Sequence, residues 1–195
     1  MLTFVVWFSR MKNVNVLYMG RWKSSDQHHI VREGSLENHI EVESTEFLKG
    51  LKIMKCLRLL SLQGVSRIEE LPNSIRKITN LRILDLKACH SLDALPDGTA
   101  LLKKLSHLDI SECYLFCKPK EIASLSELRV LKVFVIGNLE SSRDNNYQGL
   151  PKKCFGGICA PQMRDSCTLE DLITLKKLRK LSIKTSSKAF LQRKS

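Results

Sequence analysis

Apolar and polar positions alternate along the chain in one recurring frame, Leu-x-x-Leu-x-Leu, in which the x positions are largely polar or charged. It appears at Leu57/Leu60/Leu62, Leu81/Leu84/Leu86, Leu105/Leu108/Ile110, Leu128/Leu131/Val133 and Leu178/Leu181/Ile183, with starts separated by 24, 24, 23 and 50 residues. Apolar residues also stand ten, six and three positions before the first Leu of a copy. Phe47, Leu51 and Met54 precede Leu57, and Leu71, Ile75 and Ile78 precede Leu81. The offsets continue as Leu95, Thr99 and Leu102, then Lys118, Ile122 and Leu125, with Thr99 and Lys118 as the polar exceptions. Phe4, Phe8, Met11, Val14, Leu17 and Met19 fit the same frame and predict a weaker unit at the N-terminal end.

Two periods coexist in each unit, and each dictates an element. The Leu-x-Leu portion has the period of two that places successive side chains on opposite faces of a strand, whereas Ile-x-x-Leu spacing suits a turn of helix or 3₁₀ structure crossing back. A single unit has one apolar face and cannot bury it alone; stacking units at the strand spacing of about 4.8 Å creates a parallel sheet backed by continuous rows of Leu. The expected architecture is an α/β leucine-rich-repeat solenoid, with short parallel strands on the concave face and short helical or irregular crossovers on the convex face. Leu71-Pro72 and Leu95-Pro96, with Pro119 in the matching place, turn the chain into the crossovers. Cys89 and Cys113 both fall eight residues after a first Leu. A small weak donor at that position can satisfy backbone carbonyls where the strand turns away, which argues for structural thiols rather than reactive ones.

This frame divides the chain into a weak N-terminal repeat over 1–22, a surface loop over 23–46 and regular repeats over 47–136. An irregular insertion follows over 137–167, expected to be disordered, then a C-terminal repeat over 168–186 and a basic tail over 187–195. The 50-residue interval before the last copy allows either inserted loop or one degenerate unit.

Composition changes this picture little. Apolar residues at 43% suffice for a continuous core. The formal charge of +12 is concentrated in part at the C-terminal end, where Lys176, Lys177, Arg179, Lys180, Lys184, Lys188, Arg193 and Lys194 occur with no acid among them. Phe190 is the single aromatic residue among these bases, short of the succession of stacking platforms a single-strand binder needs, so a solvated face is expected and no specific nucleic acid is. The seven cysteines are odd in number and irregular in spacing, which argues against a disulfide framework. The apolar start Leu2 to Phe8 lacks a basic leader, and no apolar run reaches the roughly 18 residues of a membrane span. A reducing, cytoplasmic setting is expected.

Leu71-Pro-Asn-Ser-Ile75, Thr79-Asn-Leu-Arg-Ile-Leu-Asp-Leu86, Leu95-Pro-Asp-Gly98, Leu105-Ser-His-Leu-Asp-Ile110 and Leu125-Ser-Glu-Leu-Arg-Val-Leu131 resemble the repeat region of plant coiled-coil, NB-ARC, leucine-rich-repeat disease-resistance proteins. Gly137 to Leu139, Cys167-Thr-Leu-Glu-Asp-Leu172 and Leu178-Arg-Lys-Leu181 also look like the junction that follows their Leu-Pro repeats. The resemblance implies a domain that recognises a pathogen effector or a guarded host protein and packs on an NB-ARC module to hold it inactive. It does not extend to nucleotide binding, because no Gly-x-x-x-x-Gly-Lys-Ser/Thr occurs in the chain and no cofactor is expected. Residues 140–166 depart from the family pattern by their length, and recognisable polar end caps are absent, as in a fragment or a repeat-only relative. The alternative function is a stand-alone cytosolic repeat scaffold in signalling.

In either case the expected contact residues are those that project from the concave sheet between the Leu positions. One column comprises Val16, Leu59, Ile83, His107, Val130 and Lys180; the next comprises Tyr18, Ser61, Asp85, Asp109, Lys132 and Ser182. A third comprises Gly20, Gln63, Lys87, Ser111, Phe134 and Lys184. Asp85 and Asp109 would repel at strand spacing unless cations approach, and Lys87 and Lys132 are placed to do so. They form either an acidic-then-basic recognition patch or ordinary solvated filler. His28-His29, Cys113-x₃-Cys117 and Cys154-x₄-Cys159 lack paired zinc-ligand spacing, so no metal is expected. No catalytic motif stands out, and the chain is expected not to be an enzyme.

Overall fold

The computed structural model describes residues 10–20, 40–41, 45–113, 120–136 and 170–185. Within them the repeat frame becomes a six-stranded parallel sheet. Its strands are β1 (Val16–Tyr18), β3 (Leu59–Ser61), β5 (Ile83–Asp85), β6 (His107–Asp109), β7 (Val130–Ile136) and β8 (Lys180–Thr185), side by side in that order. The apolar positions stack in register: Leu17, Leu60, Leu84, Leu108, Leu131 and Leu181 are successive partners across the sheet. Crossovers on the other side are 3₁₀ turns at Thr45–Ile53, Asn73–Lys77, Asp97–Leu101, Lys120–Ser124 and Asp171–Thr174. The solenoid expected from the sequence is thus present, with 3₁₀ structure making each crossover.

The core consists of the rows that the spacing marks out. Leu57, Leu81, Leu105 and Leu128 are fully buried, as are Leu51, Ile75 and Ile122 from the crossovers and Met54, Ile78, Leu102 and Leu125 beside them. Truncating one of these, as in Leu81→Ala, would cost about 2–5 kcal/mol through lost transfer energy and the cavity left behind. Pro72 and Pro96 have extended backbone (φ −66° and −72°) and immediately precede their 3₁₀ turns. Their carbonyls accept the first turn hydrogen bonds, from Ile75 N at 2.9 Å and Thr99 N at 2.8 Å. Pro119 and Lys118 lie outside the described residues.

One conformational demand recurs where each strand turns into its return loop. Gly64, Ala88 and Glu112 occupy the same repeat position, and all have positive φ (70°, 58° and 63°). Only the first is glycine; the other two hold a left-handed backbone at a cost of about 1 kcal/mol each. The bonds Gly64 N to Lys87 O and Ala88 N to Ser111 O, both 2.8 Å, tie this turn to the following repeat.

The ends of the stack add detail to the sequence division. The N-terminal unit contributes β1, and its Met11, Val14, Leu17 and Met19 pack partly buried against the core; Phe4 and Phe8 lie outside the described residues. The segment expected to be a surface loop contains a short strand, β2 (Ile40–Glu41), paired in parallel with β4 (Val65–Ser66). Polar flanking residues hid it, because a two-residue strand carries no period. At the other end β7 pairs directly with β8 across the 50-residue interval, so no repeat strand stands between them in the sheet. Thr174 Oγ1 donates to Ala123 O at 3.1 Å and joins the matching crossovers. The 137–167 insertion and the 187–195 tail lie outside the described residues.

Thr99 interrupts the apolar crossover row. It is fully buried, and its Oγ1 has no hydrogen-bond partner among the described residues. An unsatisfied buried hydroxyl carries its full desolvation penalty. Thr99→Val should therefore stabilise the chain by about 1 kcal/mol, seen as a higher urea midpoint at unchanged slope; a lower midpoint would mean that the hydroxyl is serving a partner.

Candidate interaction surface

The sheet face opposite the Leu rows is built by the x positions of the repeat, and pairing sets them in rows. Val16, Leu59, Ile83, His107, Val130 and Lys180 are successive partners, as are Tyr18, Ser61, Asp85, Asp109, Lys132 and Ser182. Exposure along these rows is uneven. Val16 (50%) and Tyr18 (66%) stand open at one end. His107, Lys132, Lys180 and Ser182 are exposed further along, while Leu59, Ile83 and Val130 are half-buried.

Three expectations about individual residues need correction. Ser61 is 1% exposed, too deep for a contact; its short side chain lies between Tyr18 and Asp85, and its Oγ donates to Asp85 Oδ2 at 3.2 Å. The third row breaks at its end. A register shift between Lys132 and Phe134 pairs Phe134 with Ile183 and Lys184 with Val135, because β7 carries one more residue there than β8. Lys87 places its ammonium 3.5 Å from Glu112 Oε1, so a carboxylate of the return turn competes for the charge expected to serve the aspartates. Gly20 does adjoin Gln63: a Cβ on Gly20 would come within 2.0 Å of the Gln63 carbonyl oxygen.

Asp85 and Asp109 perform the same local task. Asp85 Oδ1 accepts Lys87 N–H at 3.1 Å, and Asp109 Oδ1 accepts Ser111 N–H at 3.0 Å, an Asx-type turn that fastens the strand exit. Lys132 Nζ donates to Asp109 Oδ2 at 2.8 Å, and this bond raises the Lys132 pKa above its ordinary value. Half-buried carboxylates occupied in this way favour the plainer alternative, in which the aspartates serve the fold.

Cys89 and Cys113 sit one step beyond these turns. Cys89 Sγ donates to Leu62 O at 3.1 Å and Cys113 Sγ to Leu86 O at 2.9 Å, each reaching the preceding repeat. Burial, reinforced by neighbouring negative charge, pushes both thiols up to about 12. A thiolate is the nucleophile in cysteine chemistry, and these two remain protonated at neutral pH. Among the described residues no group of three His, Cys, Asp or Glu side chains could hold a metal ion, and no helix is long and apolar enough to cross a membrane. His28, His29, Cys117, Cys154 and Cys159 lie outside the described residues.

The model of the family described as "Leucine-rich repeat region" matches residues 12–152, well over half of the chain. The chain belongs to the leucine-rich repeat family. Solved leucine-rich repeat structures are similar at low identity. An internalin (inlF) from Listeria monocytogenes is 18% identical, with 69% of this chain and 30% of that one covered and a TM-score of 0.45. The ectodomain of the Arabidopsis thaliana membrane receptor kinase GASSHO1/SCHENGEN3 is 16% identical over 92% of this chain and 17% of its own, with a TM-score of 0.49. The plant peptide hormone receptor RGFR1 is 15% identical, with coverages of 96% and 32% and a TM-score of 0.47. The chain therefore spans at most about a third of these three proteins. No curated protein matches it.

Sequence reasoning confined to the alternating strand positions overlooked another surface row, the residue that follows the first Leu of each repeat. Arg58, Arg82, Ser106, Arg129 and Arg179 hold that position. The same register that revealed the Leu rows contains this signal.

The thiols carry a pH signature. An unfolded chain ionises its cysteines near their ordinary 9.0, whereas the folded chain holds Cys89 and Cys113 protonated to about 12. Their contribution is complete below pH 9 and is lost as pH rises through that window. The Cys89→Ala, Cys113→Ala double variant should thus lose stability less steeply between pH 9 and 12 in urea titrations; equal slopes would remove the thiols from the alkaline transition.

Proposed function

We propose that the open face of the sheet is a protein-recognition surface, and that the chain is the repeat domain of a plant intracellular immune receptor. Recognition of an effector or a guarded host protein, with autoinhibitory packing on an NB-ARC module, is the role this reading assigns. The observation that carries the protein-binding part is the rigid presentation of Val16, Tyr18, His107, Lys132 and Lys180 in two hydrogen-bonded rows. Apolar and aromatic groups held open on a regular surface are the groups that supply contact area to a partner. The immune-receptor part is supported by the Leu-Pro repeats, Leu71-Pro-Asn-Ser-Ile75 and Leu95-Pro-Asp-Gly98. Such a domain acts by binding in the cytoplasm and performs no chemistry of its own.

Full-length transcript sequencing tests the receptor assignment, and a transcript joining an upstream nucleotide-binding module to this repeat frame is expected. A transcript without one would instead favour the cytosolic scaffold. Photo-crosslinking groups placed at Tyr18 and His107 should capture a protein in leaf cells, while the same group at Lys77 on the crossover side should not. Capture from Lys77 alone would move the surface to the opposite face.

A further inference from the structure

We infer that the arginine row along the strand entrances binds an extended acidic segment of the protein partner, with one carboxylate seated between Arg82 and Arg129. This rests on the proposal that the sheet side meets a protein, and it names the chemistry of what is met. Arg58, Arg82, Arg129 and Arg179 are exposed and occupy one repeat position, with Ser106 as the single small residue in the series. Their backbones form a continuous hydrogen-bonded ladder. Asn15 O accepts Arg58 N at 2.7 Å; Arg58 O accepts Arg82 N, Arg82 O accepts Ser106 N, Ser106 O accepts Arg129 N and Arg129 O accepts Arg179 N, each at 2.8 Å. The bases of the four side chains are therefore fixed at multiples of the strand spacing.

Among the described residues, none of the four guanidinium groups has a hydrogen bond or ion pair. Where Ser106 replaces arginine the row opens into a depression lined by Arg82, Lys104, Ser106, His107, Glu127 and Arg129. Ser106 Oγ lies 2.8 Å from His107 Nδ1, and the Glu127 carboxylate at the edge of the depression attracts both Lys177 and Arg129. Glu127 is ion-paired with Lys177, whose hydrogen bond holds the Glu127 carboxyl below its usual pKa. Lys104 Nζ donates to Asn80 Oδ1 at 2.7 Å, and Ser106 Oγ donates to Arg82 O at 3.0 Å. Two guanidiniums flanking a short hydroxyl side chain leave a net positive notch, and arginine's planar fork suits a carboxylate with paired hydrogen bonds.

Geometry limits the length of the guest. Arg58 to Arg179 covers five adjacent strands, four spacings or about 19 Å, which an extended chain rising about 3.3 Å per residue crosses in about six residues. A single-stranded nucleic acid would also find the charge, but it needs aromatic platforms for its bases, and no Phe, Tyr or Trp lines the notch.

Fluorescence anisotropy on the full chain, with a labelled peptide of four Glu-Ser repeats as probe, tests the inference at low salt. Saturable binding is expected, weakened at least about tenfold by Arg82→Ala with Arg129→Ala and reduced by added salt. Lys52→Ala with Lys77→Ala removes the same charge from the crossover side and should leave binding intact. Absence of saturable binding, or an equal loss in the lysine variant, overturns the inference. So does tighter, arginine-dependent binding of an eight-residue oligothymidine. Circular dichroism and urea midpoints matching the parent chain establish that the variants fold. The two readings fail separately: peptide binding that requires the arginines supports the acidic-segment chemistry even if the Tyr18 and His107 probes capture nothing. Capture there with no arginine-dependent peptide binding leaves only the general surface standing.

Discussion

Everything in this molecule depends on the lateral contact between one repeat and the next. A unit of 24 residues has a single apolar face, and its strand has backbone donors and acceptors on both edges. Both are satisfied only when a neighbour stacks on each side at the strand spacing. Leu60, Leu84, Leu108 and Leu131 accordingly form one buried row, while the carbonyls of Arg58, Arg82, Ser106 and Arg129 each receive two N–H groups from the following repeat.

Polar side chains repeat the same lateral logic at the margins of the core. Cys89 and Cys113 each close on a carbonyl of the preceding repeat, and Asn80 Nδ2 donates to Lys55 O at 2.9 Å in the same sense. Lys103 reaches Ser124 O at 3.1 Å in the opposite direction. The buried or half-buried donors Cys89, Cys113 and Asn80 are thus used between repeats, where an unpaired group would be costly. Among the described residues the side chains of Val16, Tyr18, Arg58, Arg82, Arg129 and Arg179 make no such bonds, and there a partner's contribution can be added without taking anything from the fold.

The surface is accordingly divided by chemistry. Asp85 and Asp109 secure strand exits with hydrogen bonds to residues two further on, and they are poorly placed to meet a partner. Val16 and Tyr18 offer apolar and aromatic area at one end. The arginines, on the strand-entrance side, have no ion pair among the described residues, although Glu127 attracts Arg129 from nearby. A partner touching both would gain area from the first and orientation from the second.

Period and composition by themselves determined the fold: a Leu frame recurring at 24 residues admits only a stacked parallel sheet, because no smaller assembly buries its apolar face. The roles of Cys89 and Cys113 followed from the same frame, as did the order of the first two sheet rows. Tertiary structure decided what depends on neighbours distant in sequence. It placed β7 against β8 across the long interval, shifted the register at Phe134, and sank Ser61 between its flanking strands. It also imposed a left-handed backbone on Ala88 and Glu112, where no glycine announced it. Spacing encodes which face a residue occupies, since that is a property of one strand. How deeply it sits, and whether its charge is already taken, depend on the side chains of adjacent repeats, which spacing does not specify.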